Sequence, residues 1–186
     1  MRSLRLLPLL LACVAACAGV SVNQDYDPSA DFASYRSFDW FPGSRELAGG
    51  GQLEDPFLER RIRTAVGREL AAKGYVRAGG ARPDFYVNYH VSVQQKLTSS
   101  GMNVGYGVGS YGSWGGVGIG MRTNPVRQYE EGTLVIDFID GASRKLVWRG
   151  TGSKALARSP TPEQTTATID TATREILKQF PPQRAQ

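Results

Sequence analysis

Residues 129–140 read YEEGTLVIDFID, and residues 145–150 read KLVWRG. In the first stretch, Leu134, Ile136 and Phe138 recur at every second position, where they would form the inward face of a strand. Residues 140–143 read DGAS, a turn sequence that lies between the two stretches. Two strand patterns joined by such a turn predict a β-hairpin.

The side chains of this hairpin divide between its two faces. Trp148 shares the alternation of Leu146, so we expect both to point into the core. Asp137 falls on the opposite face of its strand, where it can pair with Arg149 across the hairpin. Such a cross-strand ion pair contributes about 0.2–1 kcal/mol. Gly132 is expected to permit a bulge or turn where the first strand begins.

Two helices flank the strand patterns. The first is predicted to begin at Asp55-Pro56, with Asp as the N-cap and Pro at the first helical position, and to end at Gly74. Its apolar face consists of Leu58, Ile62, Ala65, Val66 and Leu70. The second begins with a capping box over residues 161–164 and ends at Pro181-Pro182. Its apolar face consists of Ile169, Ala172, Ile176, Leu177 and Phe180.

The remaining strand patterns complete the prediction of the fold class. Residues 85–93 alternate cleanly between apolar and polar side chains, and shorter strands are expected near residues 20–24 and 35–40. Hairpin links dominate the order of the elements. The prediction is therefore an α+β domain: an antiparallel sheet with two helices packed on one face, plus a Gly-rich flexible hairpin or loop.

The N-terminus has the pattern of a lipoprotein signal peptide. Residues 1–5 carry two arginines, residues 6–20 form an uncharged apolar run, and residues 14–17 read VAAC. The run of 15 residues is shorter than the roughly 20 that a membrane-spanning helix needs. We therefore expect a signal peptide over residues 1–16 and a single domain over residues 17–186, with lipidation at Cys17.

Two alternatives to this assignment remain. Cys13 also ends a lipobox-like stretch, but a large Leu stands two residues before it, and only a short apolar segment precedes it. Plain secretion, with Cys17 as a structural cysteine, is the other alternative. If Cys17 is the acceptor, it carries a thioether-linked diacylglycerol, and its freed amine can take a further acyl chain such as palmitate. Two or more chains anchor a protein stably.

Processing at Cys17 changes the character of the chain. The formal net charge falls from +5 to +3 because Arg2 and Arg5 are removed, and no cysteine other than Cys17 remains. The mature domain is thus expected to have neither a disulfide nor a thiolate metal cluster, and its basic residues form no stripe of the kind that binds nucleic acid. Gly19, two residues after Cys17, favours sorting of the protein to the outer membrane. We expect the domain to face the periplasm.

A Gly-rich insertion spans about residues 98–125. Two runs in which apolar residues alternate with glycine flank an aromatic turn, which suggests a hairpin with one bare face. Three interpretations remain open: a disordered exposed loop, self-association by strand addition, or contact with a membrane or an envelope protein. The contact residues would be Tyr106, Tyr111 and Trp114, since Trp and Tyr suit membrane interfaces.

The sequence contains no recognisable catalytic constellation. His90 is the only histidine, and it lies in a strand pattern, so a structural or surface role is expected. Paired-carboxylate chemistry could use Asp137 with Asp140, or Glu130 with Glu131, but for Asp137 structural pairing is the preferred interpretation. Residues 107–112 match the pattern G-x-G-x-x-G, yet the glycines that follow cannot open the helix that a dinucleotide site requires. We predict no cofactor, no metal and no catalytic residue.

The two hairpin stretches resemble the domain-of-unknown-function 4136 family of bacterial envelope lipoproteins. The shared pattern is E-G-T-L-V-I-D at residues 131–137, followed by L-V-W-R-G at residues 146–150. Further similarity lies in the stretch from Asp25 to Trp40 and in Pro83-Asp84 ahead of the alternating strand. The resemblance covers roughly residues 20–180. It implies the fold and the envelope location, and it assigns no activity.

Three functional hypotheses follow from the sequence. The first is a non-enzymatic, lipid-anchored envelope protein with a structural or interaction role. The second is an accessory subunit of an envelope transport or assembly complex, with the Gly-rich segment as its contact. The third is an envelope enzyme with an unrecognised carboxylate site around Asp137, which would require Asp137, His90 and a basic residue around a deep pocket.

Overall fold

The structure is a computed structural model that describes residues 19–42, 55–98 and 127–183. Its strands are β1 (Ser21–Tyr26), β2 (Ser37–Trp40), β3 (Val76–Arg77), β4 (Phe85–Thr98), β5 (Arg127–Asp140) and β6 (Leu146–Ala155), and its helices are α1 (Pro56–Ala72) and α2 (Pro162–Leu177). The strands form one sheet in the order β1-β6-β5-β4-β2-β3. Both helices pack on one face of this sheet, which confirms the predicted α+β class.

Part of the sheet is parallel, unlike the antiparallel sheet predicted. Strands β4, β5, β6 and β1 pair antiparallel, whereas β2 pairs parallel with both β3 and β4. The parallel pair arises because α1 connects β2 to β3 and returns the chain to the same end of the sheet, as a β-α-β crossover does. The sheet is therefore mixed.

The predicted hairpin is present as β5 and β6, with one difference. The register pairs Phe138 with Trp148 but Ile139 with Leu146, so Val147 is an extra, bulged residue on β6. Trp148 is fully buried as predicted, and Val147 is buried beside it. The prediction that Leu146 fills the core was wrong: the bulge turns its side chain outward, where it is 45% exposed.

Gly132 also differs from the expectation. It pairs with Val93 on one side and with Lys154 on the other, and the register shows no irregularity there. A Cβ at this position would lie 3.0 Å from a methyl carbon of Leu156. Gly132 therefore makes room for a packed leucine and does not form a bulge.

The starts of both helices and the end of α1 follow their predicted signals, whereas α2 ends at Leu177, before Pro181-Pro182, so that Phe180 lies beyond the helix. Asp55 Oδ1 accepts a hydrogen bond of 2.8 Å from the backbone N–H of Phe57, so Asp55 is the N-cap of α1. Gly74 follows the helix at φ +89°, a left-handed conformation that glycine adopts without strain. In α2 the capping box is complete, because Thr161 and Gln164 each bond to the backbone of the other.

The core between sheet and helices centres on four aromatic side chains. The rings of Phe85, Phe138, Trp148 and Phe180 pack edge-on or tilted, with centroids 4.5 Å apart for Phe138 and Phe180 and 4.8 Å apart for Phe138 and Trp148. Apolar residues of both helices surround this cluster: Ile62, Ala65, Val66, Leu70, Ile169, Ala172, Ile176 and Leu177.

Two predicted features lie outside the described residues: the signal peptide with Cys17, and most of the Gly-rich insertion. Within the described ranges, neither helix has the length and apolar character that a bilayer crossing requires.

Candidate functional site

The face of the sheet opposite the helices carries a row of polar side chains, which we call the polar row. It consists of Asn88 on β4, Asp137 on β5, Arg149 on β6 and Asp25 on β1. The register places each beside the next on adjacent strands. Successive residues of a strand point to opposite faces, so the same alternation that sends Phe138 and Trp148 into the core sends this row outward.

Asp137 and Arg149 form the ion pair predicted from the sequence. Arg149 Nε and Nη2 donate to the two carboxylate oxygens of Asp137 at 2.7 and 2.8 Å. The Asp137 side chain is only 5% exposed, whereas that of Arg149 is 47% exposed. The carboxylate is therefore shielded from water, which strengthens its hydrogen bonds. They also raise the pKa of Arg149.

His90 lies beside this pair, two residues along β4 from Asn88. Its Nε2 atom is 3.6 Å from Oδ2 of Asp137 and 3.2 Å from Nδ2 of Asn88. Asn88 is buried, and its Oδ1 atom has no hydrogen-bond partner among the described residues. The structure thus brings together Asp137, Arg149 and His90, and it adds Asn88, whose burial the alternation of β4 did not indicate.

The carboxylate of the polar row is engaged within the sheet. Both carboxylate oxygens of Asp137 accept hydrogen bonds from Arg149. A cavity among the described residues lies elsewhere and includes neither Asp137 nor His90 in its lining. The arrangement fixes the positions of side chains across β4, β5 and β6.

That cavity, which we call the corner cleft, lies where β4 begins and β5 ends. It has a volume of about 250 Å³ and opens to solvent. Its lining consists of Ser34, Tyr35, Arg82, Pro83, Asp84, Asp140 and Ala142. The backbone N–H of Gly141 donates to the carbonyl oxygen of Asp84 at 2.7 Å, which holds the two strand ends together.

Asp84 ties the start of β2 to the start of β4. Its Oδ2 atom accepts hydrogen bonds from the backbone N–H groups of Arg36 and Ser37 at 2.9 and 2.8 Å, and from the Ser37 hydroxyl at 2.9 Å. These bonds, led by that from the Arg36 backbone, lower the pKa of Asp84. A carboxylate that accepts several backbone bonds is stabilised in its charged form.

Asp140 performs a similar role at the hairpin turn. Burial alone would raise its pKa, but hydrogen bonds from Ser143, Tyr35 and Ala142 outweigh that effect and lower it. The hydroxyl of Tyr35 donates to Oδ2 of Asp140 at 2.9 Å. Burial, together with this bond, raises the pKa of Tyr35. The carboxylates of the corner cleft are thus engaged by the chain's own donors.

The lowered pKa values of these carboxylates predict that the protein loses stability in acid. The folded-state pKa of Asp84 is below the ordinary 3.8, so its stabilising effect is complete above that value and is lost as the pH falls through the lowered pKa. Asp84→Asn should reduce the free energy of unfolding by about 1–2 kcal/mol at pH 7 and flatten its decline in acid. Urea denaturation between pH 7 and pH 2 measures both effects.

The matched control is Asp31→Asn, because Asp31 is exposed and makes no side-chain cap bond. It should change the free energy of unfolding by less than about 0.5 kcal/mol. Equal acid profiles for Asp84→Asn and the unsubstituted chain would contradict the role assigned to Asp84.

The residues predicted for lipidation and contact cannot be placed in this geometry. Cys17, Tyr106, Tyr111 and Trp114 all lie outside the described residues. Within the described ranges, no group of three His, Cys, Asp or Glu side chains has an arrangement that could hold a metal ion.

Comparison with known families identifies the domain. A family model described as a domain of unknown function (DUF4136) matches residues 22–182. The chain belongs to the DUF4136 family. The match runs from β1 to beyond α2, so the DUF4136 domain includes the polar row, the corner cleft and both helices. No curated protein matches the chain.

Two solved structures are similar to this DUF4136 domain. A PDZ domain protein from Parabacteroides distasonis matches 88% of the chain at 13% identity, with a TM-score of 0.50. The chain spans only 36% of the length of that protein. The PelC dodecamer from Paraburkholderia phytofirmans matches 86% of the chain and 95% of PelC at 13% identity, with a TM-score of 0.46. At this identity the likeness to the PDZ domain protein shows the fold alone.

Proposed function

We propose that this DUF4136 protein is a lipid-anchored protein of the bacterial cell envelope with a non-enzymatic structural or interaction role. Acylated Cys17 would hold it on the periplasmic side of the outer membrane. The observation that carries the proposal is the direction of the strands at one end of the sheet. At that end of the sheet, β1 and β5 begin and β6 and β4 end, because each of these strands is antiparallel to its neighbour.

The distances at this end favour close contact with a bilayer. Ser21, the first residue of β1, is four residues from Cys17. An extended tether of that length reaches at most about 14 Å. The register aligns Ser21, through Ser153 and Thr133, with Ser92 of β4.

Strand β4 continues from Ser92 to Thr98, which is about 20 Å of strand. This projection is longer than the tether. An anchored domain would therefore bring the paired ends of β4 and β5, Thr98 and Arg127, to the bilayer surface.

The sequence between those two strand ends suits such a contact. Residues 99–126 connect Thr98 to Arg127 and include Tyr106, Tyr111 and Trp114. Trp and Tyr are favoured at membrane interfaces because their rings are apolar and their tips are polar. In our proposal this segment contacts the membrane or an adjacent envelope protein. The protein could in that way serve as an accessory subunit of a transport or assembly complex.

Anchoring through Cys17 is tested by labelling and fractionation of the full chain in a Gram-negative host. Cys17→Ala should abolish incorporation of labelled palmitate and move the protein from the membrane to the soluble fraction. Cys13→Ala is the matched control, and it should leave labelling and membrane association unchanged. Palmitate incorporation that survives in Cys17→Ala, or that is lost only in Cys13→Ala, would refute the assignment.

Contact through the Gly-rich segment is tested by photo-crosslinking in cells. A photoreactive residue at Trp114 should crosslink to lipid or to an envelope protein, and the yield should fall in the Cys17→Ala background. Val76 is the control position, because it is 67% exposed and lies at the end of the sheet where β4 begins. Equal yields from both positions, or no product from Trp114, would count against the contact.

A further inference from the structure

We infer that the outer edge of β1 is closed to pairing with another strand by the side chains of Asn23 and Asp25. An edge strand normally presents a row of unpaired backbone N–H and C=O groups that can add a further strand. Strand β1 occupies one edge of the described sheet and has β6 as its neighbour on one side. Its outward-pointing N–H groups are therefore the donors that a second strand would need.

The hydrogen bonds between β1 and β6 show which N–H groups of β1 point outward. The backbone N–H of Asp27 donates to the carbonyl oxygen of Val147 at 2.9 Å, which continues the pairing of β1 with β6. Backbone groups of successive residues in a strand point to opposite sides. The N–H groups of Asp25 and Asn23 therefore point toward β6, whereas those of Tyr26 and Gln24 point to the free edge.

Both of these outward N–H groups already have an acceptor within their own strand. Gln24 N–H donates to Asn23 Oδ1 at 2.9 Å, and Tyr26 N–H donates to Asp25 Oδ1 at 2.9 Å. In each case the preceding residue is Asn or Asp, whose side-chain oxygen is close enough to the next N–H to accept from it. The bond occupies a donor that an added strand would have to use.

The same arrangement recurs on β2, which supports its interpretation as an edge-closing device. Phe41 N–H donates to the carbonyl oxygen of Val87 on β4, so the N–H of Trp40 points to the other side of β2. Strand β3 pairs there only with Ser37 and Phe38. The uncovered Trp40 N–H donates to Asp39 Oδ1 at 2.8 Å.

The consequence concerns encounters between copies of this chain. Two β1 edges could align antiparallel only after the side-chain bonds of both copies were broken. Asp25 would also bring a negative charge to each edge. The inference rests on the hydrogen bonds of β1 and holds whether or not the chain is anchored through Cys17.

The test replaces Asn23 and Asp25, whose side chains cap the outward N–H groups of β1, in the full chain purified in detergent. Asn23→Thr with Asp25→Thr introduces strand-favouring residues, whose hydroxyl is one bond too short to reach the next N–H. We expect dimerisation to strengthen at least about tenfold in sedimentation equilibrium. Hydrogen exchange at the Gln24 and Tyr26 amides should slow in the dimer. Circular dichroism checks that the variant is folded.

Two further variants separate the effect of these side-chain hydrogen bonds from the effects of composition and charge. The exchanged pair, Asn23→Asp with Asp25→Asn, keeps both caps and the net charge, and it should behave as the unsubstituted chain. Asn23→Gln with Asp25→Glu keeps the charge but lengthens each side chain, and it should expose both amides to faster exchange. Unchanged exchange in the Gln/Glu variant, or a Thr/Thr variant that stays as monomeric as the unsubstituted chain, would overturn the inference.

Discussion

Replacing Trp148 with alanine should lower the free energy of unfolding by about 3–5 kcal/mol, among the larger effects of a single core substitution. Trp148 is fully buried, and its ring packs against Phe138 and Phe180 with centroids 4.8 and 5.3 Å away. Its indole N–H donates to Oε1 of Gln24 on β1 at 3.0 Å. The substitution would leave a cavity beneath α2 and remove a bond between β6 and β1. Urea denaturation followed by far-ultraviolet circular dichroism measures the loss.

The control for this prediction lies two residues away on the same strand. Leu146 is 45% exposed, so Leu146→Ala should change the free energy of unfolding by less than about 0.5 kcal/mol. Similar losses for Leu146→Ala and Trp148→Ala would show that the bulge at Val147 is misplaced. A Trp148→Ala variant as stable as the unsubstituted chain would instead assign Trp148 to a binding surface.

The second large effect is expected for Gly141→Ala, at about 3 kcal/mol of destabilisation, the upper part of the range for overpacking. A Cβ at Gly141 would clash with the carbonyl oxygen of Pro83 and would lie 3.0 Å from that of Asp84. Both are backbone atoms, so the clash cannot be relieved by rotating a side chain. The ends of β4 and β5 would have to separate, which breaks the bond from Gly141 N–H to Asp84.

A glycine-to-alanine substitution at Gly67 should have the opposite effect on the free energy of unfolding. Gly67 lies within α1, and a Cβ there would meet no atom within 4 Å. Gly67→Ala should therefore stabilise the protein by about 0.5–1 kcal/mol, because glycine is costly inside a helix. Urea denaturation compares the two variants, and hydrogen exchange at residue 141 should accelerate in Gly141→Ala alone. Destabilisation by Gly67→Ala of the same size would contradict the steric explanation.

Local signals predicted much of the fold. The N-cap at Asp55 and the capping box at Thr161 fixed the starts of both helices, because side-chain oxygens satisfy the first backbone donors of a helix within a few residues. Alternating apolar residues located β4 and β5 for the corresponding reason: a strand with one buried face needs period two. The burial of Trp148 and its place in a hairpin followed from the same pattern.

Features that depend on long-range pairing were not predicted. Strand β3 has only two residues, Val76 and Arg77, both exposed, so no periodic pattern marks it, and the parallel part of the sheet was missed with it. The bulge at Val147 depends on the register of β5 against β6. A register shift is invisible in a single strand, and for that reason Leu146 was assigned to the wrong face.

The candidate sites divide in the same way. The pair of Asp137 and Arg149 could be predicted because a hairpin turn relates the two strands directly. The corner cleft could not, because Asp84, Asp140 and Tyr35 come from three separate segments of the chain. The only local signal there was the Pro-Asp sequence ahead of β4, which indicates a strand entry but not what the carboxylate binds.

The position of β1 also determines how the domain would respond to mechanical load. A pull on the N-terminus is transmitted along the axis of β1, whose six residues are all paired with the antiparallel strand β6. The force acts parallel to the strands and loads the interstrand hydrogen bonds in shear. They must fail together and cannot open one at a time, so this end of the sheet would resist a pull on the N-terminus.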